Sequence, residues 1–239
     1  NMNFNNLEKL NDQQRKQVEQ QLEEHQHDKY ETDIDLGGRK LENFVVYQNV
    51  LRPEKMVAQT LAQYLYENRD SYRGKDVLDM GCGSGIQGIT MGIGGAEQVT
   101  FSDISVDAIA NTKDNVNKFN IEEKSIVTQG DLFEHIKGKF DCIVFNHPFF
   151  PAKPLNDVPV SKTMLDEGDL LARFLNEAKD YLKEEGSIIM PYFHIAGEEN
   201  DPSIQAPPLG YDVSIKLRND IGQGLQKGQF SIFELKSKN

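Results

Sequence analysis

The chain has no tryptophan, only two cysteines, and no apolar run approaching the roughly 18 residues that cross a bilayer. Nor does it open with a signal-peptide pattern, so a soluble, cytoplasmic protein without membrane contact is expected. Cys82 stands in a glycine-rich turn and Cys142 inside an apolar run; both read as small buried residues rather than a disulfide pair. A run of Lys or Arg is also missing, and 26 basic residues face 38 acidic ones for a net charge of −12. Nucleic acid is therefore disfavoured as a partner, and a protein or a small molecule moves ahead. The 239 residues suit one α/β domain with a modest extension.

What the chain does have is a glycine cluster in residues 77–85, VLDMGCGSG. Val77 and Leu78 read as the end of a buried strand closed by Asp79, and Gly81, Gly83 and Gly85 make a turn whose backbone can lie against a ligand. The apolar stretch IQGITMGI follows as a helix. Strand, glycine loop and helix together offer free N–H groups and the positive end of the helix dipole at the carboxyl edge of a sheet. Gly83, Gly85 and Gly88 also meet the G-x-G-x-x-G spacing of a dinucleotide site. Asp79 argues against that ligand, because a carboxylate there repels a pyrophosphate but suits a ligand carrying an ammonium and a sulfonium. Asp103 ends a second apolar run, QVTFSD, where it is placed to take both ribose hydroxyls of either cofactor. Cys82 faces cofactor backbone rather than a base, which speaks against a catalytic thiol.

Residues 1–29 are polar, with Phe4, Leu7, Leu10, Val18 and Leu22 at loosely helical spacing, and read as amphipathic helices against the body or a frayed extension. Asn1 reads as a cloning remnant. His25 and His27 have no third ligand at metal spacing and read as solvated histidines on a charged helix, so no metal is expected. ETDIDL and ENFVVYQNVL about Gly37 and Gly38 predict a hairpin. Pro53 at a first helical position opens a helix through PEKMVAQTLAQYLYENRD, expected beside the glycine loop. Ser105 caps a helix that turns Val106, Ile109, Val116 and Phe119 inward. SIVTQGDLF gives a strand ending near Asp131, and His135 in the next turn reads as a surface residue. FDCIVF is the fourth strand of the sheet, followed by a proline-spaced loop, a helix through DEGDLLARFLNEAKDYLKEEG, and a strand SIIMPYFH. A polar loop then precedes two strands, YDVSIKLRN and FSIFELK, joined by a turn at Gly222, Gly224 and Gly228. Strands alternating with helices imply a mostly parallel sheet covered on both faces and closed by an antiparallel hairpin.

D-x-G-x-G-x-G at the end of the first strand of that sheet resembles the S-adenosylmethionine site of class I methyltransferases. The resemblance implies a doubly wound, Rossmann-like, seven-stranded α/β fold, with Asp79, Gly81, Cys82, Gly83, Gly85, Asp103, Ile104, Asp131, Leu132 and Asn146 around S-adenosylmethionine. At Asp131 such enzymes put a polar side chain on the adenine amino group; as a plain residue it could equally cap the following turn. Asn146, His147, Pro148 and Phe149 begin NHPFF, which resembles the N-P-P-[YF] motif of enzymes that methylate adenine N6, guanine N2 or the glutamine amide of release factors. Asn146 and the carbonyl of residue 147 would accept the N–H groups of a planar nitrogen, and Phe149 would lie against the flat group. His147 departs from the motif; it either adds a base or fills space. NVLRPEK resembles the Arg-Pro-Glu-Thr segment before the catalytic domain of release-factor glutamine methyltransferases, matching at Arg52, Pro53 and Glu54 and differing at Lys55. The segment through DEGDLLARFLNEAKDYLKEEG resembles the corresponding helix of the same small-methyltransferase group, so the likeness covers roughly residues 30–193.

The expected division is a helical extension and hairpin over residues 1–52 and a methyltransferase domain over 53–239. The expected activity is N-methylation of a planar nitrogen in a protein or small molecule, with an RNA base or a turnover-free cofactor-binding module as alternatives. Affinity for generic nucleic acid should be weak at physiological salt. Filter binding that found a tight complex with a steep salt slope would reveal a basic surface scattered through the sequence and revive the RNA alternative.

Overall fold

The computed structural model describes residues 4–238, so Asn1 lies outside the described residues. β1 (Tyr30–Asp35) and β2 (Lys40–Val46) form the expected antiparallel hairpin. β3 (Asp76–Met80), β4 (Gln98–Asp103), β5 (Ser125–Gln129), β6 (Phe140–Phe145), β7 (Leu182–Phe193), β8 (Tyr211–Ile221) and β9 (Gly228–Ser237) form one sheet in the order β5-β4-β3-β6-β7-β9-β8. Only β9 runs against the rest of that sheet. The helices are α1 (Asp12–Glu24), α2 (Met56–Glu67), α3 (Ile86–Ile93), α4 (Val106–Lys118), α5 (Asp169–Ala178) and the short α6 (Pro202–Gln205).

The central strands are apolar on both faces because both faces are covered. Val77, Val144, Ile189 and Ile232 point to a core shared with the hairpin, α2, α3 and α4, while Leu78, Ile143, Ile188 and Phe233 point to one shared with α1, α5 and the segment 149–165. From β3 the chain winds outward through β4 and β5, and from β6 it winds the other way through β7. The carboxyl ends of β3 and β6 are neighbours, which opens a crevice at the switch point.

The N-terminal segment is an integral part of this body. Asn11 and Gln14 form a reciprocal capping box, and Leu7, Leu10, Val18 and Leu22 are all buried. The hairpin is held through two buried asparagines on α4. Asn111 accepts from Tyr47 N at 2.8 Å and donates to Val45 O at 2.8 Å. Asn115 accepts from Val45 N at 3.0 Å and donates to Val45 O at 2.8 Å and Ser84 O at 2.9 Å, joining hairpin to glycine loop.

Four details differ from expectation. Pro53 is not in the helix: Lys55 N donates to Arg52 O at 3.4 Å, so Pro53 sits inside a turn and α2 starts at Met56. The helix expected through KEEG stops at Ala178, because Tyr181 stacks on Phe133 with ring centroids 4.4 Å apart and Leu182 already pairs with Phe140. The residues Lys183–Gly186 bulge out before Ser187 pairs with Cys142, with Lys183 Nζ 2.7 Å from Asp76 and 3.0 Å from Asp141. Helix propensity yields here to tertiary pairing. Val106 is 68% exposed rather than inward, being the first residue after the cap, whereas Ile109 and Val116 are buried. Asp79 does not end its strand, which continues through Met80.

Asn115→Ala removes the acceptor for Val45 N and the donor for two carbonyls in a site that water does not reach. The expected loss is about 2–4 kcal/mol of stability, read as a lower urea midpoint; an unchanged midpoint would show that the hairpin is held by its apolar face alone.

Candidate active site

The loop after β3 takes backbone shapes that side chains resist: Gly81, Gly83 and Gly85 have φ of 64°, 55° and 87°. Gly81, Cys82 and Gly83 line a cavity of about 330 Å³ at the carboxyl ends of β3, β4 and β6. Gly85 does not line it; it caps α3, with Thr112 against the place a Cβ would take. Gly88 is likewise a packing glycine, since a Cβ there would come within 2.2 Å of Phe101 on β4. Its amide donates to Asp79 Oδ2 at 2.9 Å, so the third glycine of the G-x-G-x-x-G spacing serves α3 and Asp79 rather than a pyrophosphate.

Three carboxylates line the cavity, Asp79, Asp103 and Asp131, and the first two sit at the ends of β3 and β4. Asp79 is 2% exposed, and burial pushes its carboxyl well above the ordinary range despite the Gly88 amide; the charge of Asp103 adds to the rise. Asp103 accepts from Gly83 N and Ser105 N, each at 2.9 Å, and burial raises it as well. Neither has a cationic partner among the described residues. Gln87 adds an orphan acceptor: its Nε2 donates to Ala58 O at 2.9 Å, while Oε1 is buried without a partner among the described residues. Such a wall suits a ligand with positive charge and hydroxyl or ammonium donors. Cys82 also faces the cavity, and burial raises its thiol well above the usual range, the opposite of an activated nucleophile.

Asp131, Leu132 and Ile104 line the same cavity, Leu132 buried and Ile104 61% exposed. Asp131 does not cap the following turn. Its carboxylate takes Arg173 Nη2 at 2.7 Å, and Glu134 caps the amide of Asp131 instead. His135 is on the surface, as expected.

NHPFF leaves β6 between this cavity and a narrower slot of about 60 Å³; Leu51, Ala58, Asn146 and Thr163 belong to both walls. Pro148 faces the larger cavity, and His147 and Phe149 face the slot. His147 is 2% exposed and its Nε2 lies 2.8 Å from Asn200 O, an acceptor, so Nε2 carries the proton. Burial pushes the imidazole down to about 4, so it is neutral at physiological pH. Its ring stacks on Tyr192 with centroids 5.9 Å apart, and Phe149 meets it edge-on at 5.1 Å. Asn200, which no sequence signal marked, donates to Phe149 O at 3.2 Å and Asp166 O at 2.9 Å, tying the polar loop after β7 to the motif.

His25 corrects the expectation of a solvated histidine. It is 6% exposed on the slot wall, accepts from Arg52 N through Nδ1 at 2.9 Å, and is pushed down to about 3 by burial and by the neighbouring His27, Arg52 and Lys55. His27 lies 2.9 Å from Val50 O, and no group of metal-binding side chains occurs among the described residues.

The sheet order, the glycine loop and the paired acidic residues at the ends of β3 and β4 define a class I methyltransferase fold. Residues 56–196 match the family described as the methyltransferase small domain, and the chain belongs to that family. It is an S-adenosylmethionine-dependent methyltransferase; the unpaired carboxylates and the orphan Gln87 acceptor fit that cofactor's cationic methionine end and its ribose. A relative from Methanocaldococcus jannaschii, provisionally named a protein N5-glutamine methyltransferase, is 30% identical over 190 residues, covering 77% of this chain and 91% of its own. The release factor glutamine methyltransferase of Leptospira interrogans is 32% identical over 143 residues, 58% of this chain, and the chain spans only 49% of it. Among solved structures, the Thermus thermophilus 16S rRNA N2 G1207 methyltransferase, in complex with AdoMet and guanosine, superposes with a TM-score of 0.63 at 16% identity, over 88% of this chain and 51% of that one. A ribosomal protein L11 methylase from Lactobacillus delbrueckii gives 0.55 at 22% identity, over 77% and 81%.

Because Asp79 and Asp103 have raised pKa values in the free protein and a cation favours their ionised forms, cofactor affinity should be full above those raised pKa values and fall as pH drops through them. Calorimetry in buffers of different ionisation enthalpy should register proton release on binding in that range. Asp79→Asn should weaken S-adenosylmethionine by about 10- to 100-fold while raising the melting temperature of the ligand-free protein, since a buried charge is lost. Unchanged affinity would remove Asp79 from the site.

Proposed function

We propose that this enzyme methylates the side-chain amide of a glutamine in a protein. The observation that carries the reading is the slot beside Asn146. The slot, at about 60 Å³, is much smaller than the neighbouring cavity of about 330 Å³ and is lined largely by apolar side chains. A side chain ending in a carboxamide suits a slot of this scale better than a fused-ring base. The names of the M. jannaschii and L. interrogans relatives support the same acceptor class. We take residues 53–239 as the catalytic domain and 1–52 as the extension that completes its acceptor side. A protein acceptor of the translation machinery would put the enzyme in the cytoplasm.

In this reading Asp79, Asp103, the 81–83 backbone and Asp131 hold the cofactor, which when bound supplies an electrophilic methyl group. An amide nitrogen is a poor nucleophile because its lone pair is delocalised into the carbonyl. Asn146 Oδ1 and the carbonyl of residue 147 each accept one N–H, turning the remaining lobe of the nitrogen toward the larger cavity. No side-chain bond within the protein competes for Asn146 among the described residues. Transfer would form N–CH3 as the S–CH3 bond breaks and leave a strongly acidic cationic amide nitrogen, which needs no dedicated base and gives up one proton to solvent as the product leaves. His147 has no part as a base here: Nε2–H is committed to Asn200 O, and a ring that protonates near 4 is a weak acceptor. It holds the motif in place. Apolar walls of Leu51, Phe149 and Met164 keep water from competing for the methyl group.

Asn146→Ala should leave S-adenosylmethionine affinity within a few fold and cut turnover by roughly 100-fold or more, as when one preorganised polar contact is removed. Labelled cofactor incubated with fractionated lysate, followed by hydrolysis and chromatography, should give N5-methylglutamine. Label confined to nucleobases would overturn the amide reading, and normal turnover by Asn146→Ala would remove Asn146 from the chemistry.

A further inference from the structure

The slot is walled on its outer side by residues that precede the family-matched segment, which begins at residue 56. Gln21, Glu24 and His25 come from α1 and its cap, and Arg52 and Lys55 from the turn before α2. These pieces are fastened together. Arg52 donates its backbone N–H to His25 and its Nε–H to Glu24 O at 2.5 Å, and Gln226 donates to Glu24 Oε1 at 2.9 Å. A helix bonded this firmly over a catalytic slot is part of the site's shape.

The mouth of the slot carries both signs of charge. Within a net charge of −12, Arg52 and Lys55 line the slot and Lys162 lines the adjoining cavity. Arg52 is 3.6 Å from Glu54, but neither Lys55 nor Lys162 has an ion-pair partner among the described residues. The one carboxylate on the slot wall, Glu24, is already engaged by Gln226. Half-buried Gln21 presents a carboxamide with no side-chain bond among the described residues. An unpaired lysine and a free amide beside a narrow slot match a peptide that carries an acid beside its target.

Resting on the amide reading above, we propose that α1 and the Arg52–Lys55 turn form the acceptor-recognition surface, and that the acceptor is an extended polypeptide with a carboxylate side chain next to the methylated glutamine. The acid lies against Lys55 at the slot mouth, and Gln21 bonds the acceptor backbone. The long-range field of an acidic enzyme repels acidic partners in general, so this local contact selects for one carboxylate at one position rather than for acidic proteins as such.

The test uses the full-length enzyme and three synthetic peptides identical except for Glu, Ala or Lys flanking a central glutamine. The kcat/KM for the Glu peptide should exceed that for Ala by at least tenfold, with Lys lowest. Lys55→Glu should reverse the order of the Glu and Lys peptides, and Gln21→Ala should raise KM with little change in kcat. S-adenosylmethionine affinity measured by calorimetry should stay unchanged in both variants, which also reports that they fold. Equal kcat/KM for all three peptides, with N5-methylglutamine formed, would overturn this surface and leave the amide reading standing. Failure to form N5-methylglutamine in any peptide overturns the surface; if lysate labelling also falls only on nucleobases, the amide reading goes with it.

Discussion

Two carboxylates without a cation, the buried Asp79 and the partly buried Asp103, are the constraint around which this molecule is arranged. Each costs folding free energy at neutral pH, because the folded state holds it where the charged form is poorly solvated. The surrounding structure offsets that cost only in part. Gly88 N on Asp79, and Gly83 N and Ser105 N on Asp103, each supply one hydrogen bond. Those donors exist because α3 starts from a left-handed glycine and lies so close to β4 that only hydrogen fits at Gly88. The glycine loop, the tight α3 packing and the N-cap of α4 are therefore one device, which leaves unmet negative charge for a cationic cofactor to meet.

On the other side of the motif the problem is rigidity. Proline at the second motif position would fix one backbone torsion by covalent means. His147 allows the same carbonyl but supplies no such constraint, and the structure replaces it with a bracket of noncovalent contacts. The imidazole donates to Asn200 O, and Asn200 donates in turn to Phe149 O and Asp166 O. The loop after β7, which the sequence suggested only as a polar stretch in place of a helix, thus clamps NHPFF from behind. Burial keeps the imidazole neutral, so the bracket does not loosen across the physiological pH range.

Local signals carried the sheet and the glycine loop well, and for a physical reason. Val77, Leu78, Ile143 and Val144 announce buried strands by being apolar on both faces, and a glycine turn followed by an apolar helix has few other uses. What was illegible depends on distant partners. Nothing near Lys183 in sequence shows that Asp76 and Asp141 await it, so helix-forming letters won there on paper and lost in the fold. His25 reads as a surface residue until Arg52, 27 positions away, donates to it. Gln87 and Asn200 are ordinary polar letters whose positions become informative only when their burial is seen. Asp131 had two local readings; Glu134 caps its turn instead, and the distant Arg173 pairs with its carboxylate at the cavity wall.

The same contrast bears on how acceptor choice is built. The cofactor end is made by residues close in sequence to their strands, so it can be kept while other parts vary. The acceptor slot is assembled from α1, the turn before α2, the end of β6 and the loop near residue 163, segments that meet only through long-range bonds. A change in any one of them alters the slot without touching the carboxylates. Asn146 joins the two regions, being in the wall of both cavities at the end of the strand that adjoins the glycine loop. In the proposed reading chemistry and selectivity are thereby separable: β3 and β6 carry the cavity that fits the cofactor, and the outer wall of the slot is a separate assembly held by the Arg52–His25 bond.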